Sequence, residues 1–75
     1  MILYELTIED MTTLGHMGSS PTVKERKMFL YPEGARTYAE ADYEKDIKWT
    51  ALRPGAWTSG DLMHVMYSIR ARIVE

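Results

Sequence analysis

The sequence predicts a small α+β domain in which an antiparallel sheet, ordered β-β-α-β-β along the chain, carries one helix packed on one face. Three observations carry this prediction. The chain opens on an alternating run from Ile2 to Glu9, closes on its longest apolar-rich run, Leu62–Val74, and holds between them a segment from Ala35 to Asp46 that lacks Gly and Pro.

In the opening run, Ile2, Tyr4, Leu6 and Ile8 fall on one side and Leu3, Glu5, Thr7 and Glu9 on the other, the period of a half-buried strand. The closing run repeats the pattern: Val65, Tyr67, Ile69, Ala71 and Ile73 alternate with Met66, Ser68, Arg70 and Arg72. Matching patterns predict that the two runs neighbour each other in one sheet. A helix over 59–73 is the alternative, because Leu62, Val65, Met66, Ile69 and Ile73 also follow helical spacing and Thr58 with Asp61 resembles a capping box. The strand is preferred, since a helix would turn Arg72 onto its buried flank and the segment is rich in β-branched and aromatic residues.

Between Asp10 and Thr22 the glycines, serines and Pro21 forbid a continuous element. A loop this long is either functional or mobile, and its His16 and Met17 are candidate partner contacts, Met being an adaptable apolar side chain. The plainer alternative is a hairpin connection whose Leu14 tucks against the core. Val23–Tyr31 is expected to be a second strand with a charged first half. Lys24, Arg26 and Lys27 would project past the body on an exposed hairpin arm and meet a partner, while Met28–Tyr31 enter the core.

Pro32-Glu33-Gly34 reads as a tight turn or as the first turn of a helix. Thr37 with Glu40 suggests a capping box, and Ala35, Tyr38, Ala39 and Tyr43 form the expected buried face. The helix is expected to stop near Asp46, with Ile47, Trp49 and Ala51 alternating as a third strand; the alternative carries it to Leu52, before Pro54-Gly55. Arg53–Gly60 reads as a turn-rich connection whose Trp57 either caps the core or anchors a partner.

With 75 residues, the chain is expected to be one domain, 1–75, with a core too small to be generous. A protein partner, or a second copy in a homodimer, would cover surplus apolar surface. The absence of cysteine excludes disulfides and Cys-based zinc sites, which fits a cytoplasmic location. The formal charge of −2 disfavours a dedicated polyphosphate binder. Neither a basic leader nor an apolar run of membrane-spanning length is present.

No phosphate loop, nucleophile elbow, HExxH or EF-hand pattern is found, so no cofactor, no metal and no enzyme activity are expected. The nearest acid–base pairing, Asp61 with His64, would share a face only on a helix. A small enzyme using these two residues is therefore the third reading. The second is a single-stranded nucleic-acid module in which Arg70, Arg72 and Lys48 line an open sheet face.

An N-terminal strand, a long loop, a charged hairpin strand, a short Ala/Tyr helix and C-terminal β structure, in a cysteine-free chain of this length, resemble in layout the small phage-encoded inhibitors. That group includes anti-CRISPR and host-polymerase-blocking proteins. The resemblance covers the order of elements and assigns no individual residue. It implies a non-enzymatic protein, acting in the host cytoplasm, that blocks a host or defence complex by surface complementarity.

Overall fold

The computed structural model describes residues 1–11 and 22–74. The loop expected over 10–22, with His16 and Met17, falls on 12–21 and so lies outside the described residues. The elements are β1 (Ile2–Asp10), β2 (Thr22–Phe29), α1 (Pro32–Tyr43), β3 (Thr50–Arg53), β4 (Ala56–Thr58) and β5 (Val65–Ile73). They form a five-stranded antiparallel sheet of order β2-β1-β5-β4-β3, with α1 packed across one face.

The two runs that dominate the sequence dominate the sheet. β1 and β5 pair along their whole length, from Ile2↔Ile73 to Asp10↔Val65, so the helical alternative for 59–73 is overturned. Alternation does the rest: Leu6, Ile8, Tyr67 and Ile69 are buried on the helix side, while Arg70 and Arg72 stay exposed.

β2 is not a projecting arm. It pairs with β1 from Tyr4↔Phe29 to Asp10↔Thr22, with a bulge where the register passes from Ile8↔Glu25 to Glu9↔Val23. An edge strand tolerates charge because its outer side is solvated, and a bulge with Lys beside it guards that edge. Of the residues expected to enter the core, only Phe29 packs there, whereas Met28, Leu30 and Tyr31 are exposed.

Pro32 starts α1 from the extended Tyr31, which makes no side-chain cap. Proline at the first helical position forfeits nothing, since its missing N–H would be unpaired there anyway. The Thr37–Glu40 capping box is not formed, because both residues lie inside the helix. The Glu40 carboxylate instead accepts from the Ile47 backbone N–H at 3.4 Å and the Trp49 indole N–H at 3.3 Å, folding the following segment back on the helix. Helix α1 ends at Tyr43, with Glu44 left-handed and its N–H donating to the Glu40 carbonyl at 2.8 Å. The extension to Leu52 is thereby excluded.

Ala35 and Ala39, one turn apart and fully buried, let the helix lie close on Leu6, Ile8, Tyr67 and Ile69. Tyr67 donates its hydroxyl to Asp42 at 2.7 Å, and the Tyr43 ring meets it edge-on at 6.1 Å. At the other flank Tyr38 donates to Glu25 at 2.7 Å, and Lys27 Nζ sits 4.9 Å from its ring centroid. Glu25 and Lys27 therefore help to seat the helix.

Both hydroxyls are pushed above the ordinary tyrosine value: Tyr67 by burial and then by Asp42, Tyr38 by its bond to Glu25 and then by burial. A tyrosine whose folded pKa is raised stabilises the fold fully below the unfolded value of 10.0 and loses that contribution as pH rises beyond it. Denaturant midpoints are accordingly expected to fall once the pH exceeds about 10. Tyr67→Phe should cost about 1–2 kcal/mol at neutral pH and flatten the alkaline decline. An alkaline limb as steep in Tyr67→Phe as in the parent would remove Tyr67 as its cause.

The third strand begins at Thr50, with Ile47 and Trp49 packed on the core ahead of it. The segment Arg53–Gly60 contains β4 as well as a turn: Pro54-Gly55 closes the hairpin between Arg53 and Ala56. Gly55 has φ 82°, and a Cβ there would lie 3.1 Å from that of Ala71, so both conformation and space require glycine. Beyond β4, Ser59 continues the pairing by hand. Its N–H donates to the Tyr67 carbonyl at 2.9 Å and its Oγ accepts from the Tyr67 N–H at 3.0 Å.

Candidate protein-interaction surface

The helix covers one face of the sheet; among the described residues no element covers the other. On that face the register sets side chains in rows. Arg26 stands opposite Thr7, which stands opposite Ser68; in the next row Met28, Glu5, Arg70 and Ala56 follow across four strands. Leu3 faces Arg72 beyond them. These rows frame a shallow depression of about 340 Å³, lined by Glu5, Thr7, Glu9, Arg26, Arg70 and Arg72 among others.

Two sets of arginines that the sequence kept apart therefore share one surface. Arg26 comes from the charged strand considered for a protein partner, Arg70 and Arg72 from the strand considered for nucleic acid. Arg72 is already engaged, its Nη2 and Nε lying 3.0 and 3.2 Å from Glu5 Oε1. This pair is half exposed on the arginine side, so it contributes at most about 1 kcal/mol. Arg26 and Arg70 are exposed and make no ion pair or side-chain hydrogen bond among the described residues.

The other sequence candidates lie elsewhere. Lys24 is exposed beside the bulge of β2, and Lys27 is turned to the helix side by Tyr38. Lys48 is exposed in the segment before β3, away from the depression. Trp57 sits on the helix side of β4, half-buried, with its ring 6.3 Å from that of Tyr4 and the Arg36 guanidinium 5.7 Å above it. It packs against the edge of the core.

Asp61 and His64 are both exposed in the connection before β5, and neither side chain makes a hydrogen bond or ion pair with the other. The connection turns between them, with Leu62 N–H donating to the Val65 carbonyl at 2.9 Å and Met63 at φ 78°. Among the described residues no three His, Asp or Glu side chains gather closely enough to hold a metal ion. No helix among them is long and apolar enough to cross a membrane.

Sequence reasoning placed Glu5, Thr7 and Glu9 on the outer side of β1 but did not associate them with the arginines. The signal that could have done so is the residue register of three strands, which periodicity does not carry. Compared with known protein families, with curated proteins and with solved structures, the chain matches none.

Proposed function

We propose that the protein is a non-enzymatic protein-binding module, of the kind a phage uses to block a host or defence complex, anti-CRISPR proteins among them. The reading is supported chiefly by one observation: three arginines and two glutamates share a sheet face that no other described element covers, and among the described residues two of the arginines make no ion pair. A surface of mixed charge on a rigid sheet offers an inhibitor its register and selectivity, because wrong partners meet like charges. Catalysis finds no such support, as the depression is shallow and the described residues lining it include no acid–base pair in contact with a nucleophile.

Single-strand binding is the second reading, favoured by the same three arginines on one face. Affinity capture of the tagged protein from the extract in which it acts, with and without nuclease, separates the two. A stoichiometric protein complex that survives nuclease is the expected result. Loss of all captured material on nuclease treatment would transfer the function to nucleic acid.

A further inference from the structure

We infer that the open sheet face holds an extended acidic segment of a partner protein, with Arg26 and Arg70 each taking one of its carboxylates and Glu9 a basic side chain. The inference rests on the protein-binding reading and gives it a site and a partner chemistry.

Charge complementarity is the first support. The whole chain is negative by two, yet this face carries Arg26, Arg70 and Arg72 against Glu5 and Glu9, so it is a positive patch on an acidic protein. Arg72 is matched by Glu5, and among the described residues the guanidiniums of Arg26 and Arg70 have no such match, each able to bind a carboxylate through two parallel hydrogen bonds. Thr7 and Ser68, opposite each other in the same depression, add hydroxyls for the segment's backbone.

Spacing is the second. Arg26 and Arg70 stand on the two strands that flank β1, one in the row of Thr7 and the other in the row of Glu5. Two strand spacings and a two-residue step put their backbones about 12 Å apart. Acidic residues four apart in an extended segment point to the same side and span roughly 13 Å.

Nucleic acid fits this face less well. A base-stacking platform needs rings, and the ring pairs Tyr4–Trp57, Phe29–Tyr38 and Tyr43–Tyr67 all belong to the helix side. Glu5 and Glu9 also sit on β1, between the strands that carry Arg26 and Arg70, so a ladder of phosphates would pass over carboxylates. A protein segment can place a basic residue there.

The test is a selection of displayed random twelve-residue peptides on the folded protein. Recovered sequences should carry two acidic residues four apart together with a basic one. Synthetic versions should bind in a salt-dependent manner, weaken more than 10-fold against the R26A/R70A double variant, and be unaffected by K48A. Amide NMR fingerprints confirm that both variants stay folded. The inference is overturned by failure to enrich any peptide, by enrichment without acidic pairs, or by binding that the double variant retains. It is overturned equally if a fifteen-nucleotide oligothymidylate binds more tightly with the same arginine dependence, or if the face proves to join two copies in a dimer that R26A/R70A dissociates. A failed selection alongside a nuclease-resistant captured complex would reject this face while leaving the protein-binding function in place.

Discussion

Leu6→Ala is expected to lower the free energy of unfolding by about 2–5 kcal/mol. Leu6 is 1% exposed, in the middle of a strand flanked on both sides and roofed by α1, where its neighbours have least freedom to close a cavity. Domains of 75 residues are worth roughly 4–11 kcal/mol in all, so this one truncation removes a large share. Ile2→Ala, on the same strand and the same side but 53% exposed, should cost less than about 1 kcal/mol. Urea unfolding of both variants, with the slope unchanged, checks the pair. Equal losses would mean that the core does not sit where these two positions place it.

Ala39→Leu should be nearly as damaging by the opposite route. Ala35 and Ala39 have no exposed surface, and the helix rests on the sheet through these methyl groups. Three added carbons must either lift the helix or push Leu6, Ile8 and Ile69 from their rotamers, at about 1–3 kcal/mol. Leucine is almost as good a helix former as alanine, so the loss cannot come from propensity. Ala41→Leu, on the exposed side of the same helix, is the control. Thermal midpoints should fall by several degrees or more for Ala39→Leu and stay within a degree or two for Ala41→Leu. Equal midpoints would show that the helix does not bear on the sheet through Ala39.

These contrasts mark what the sequence carried and what it did not. The alternation of β1 and β5 was legible because each strand buries one face only, so the period survives in the letters. The helix was legible in its body but not at its start, since Pro32 begins it without a side-chain cap while Thr37 and Glu40 imitate one. β2 was misread as an arm because four charged residues in a row look unfit for a sheet. Glu25 and Lys27 are held by Tyr38, thirteen and eleven positions further on, and no local rule connects them. β4 was hidden by the Pro, Gly and Ser residues around it, one of which, Ser59, replaces ladder bonds with its own atoms. The candidate surface was visible only in pieces. Arg70 and Arg72 could be assigned to an outer face and Arg26 to a charged strand, but that they share one surface follows from pairing register alone.

The same pairing has a consequence in time. β1 and β5 are neighbours in space, with Val74 N–H donating to the Met1 carbonyl at 2.8 Å, yet they stand at opposite ends of the sequence. Closing so long a loop before its contacts form is entropically slow, which puts this fold among the slower small domains. On a ribosome, Leu6 and Ile8 would lack their β5 neighbours until Tyr67 and Ile69 had been made and had left the exit tunnel. The central ladder can therefore form only after synthesis of nearly all these residues, and until then one side of β1 has no strand to pair with.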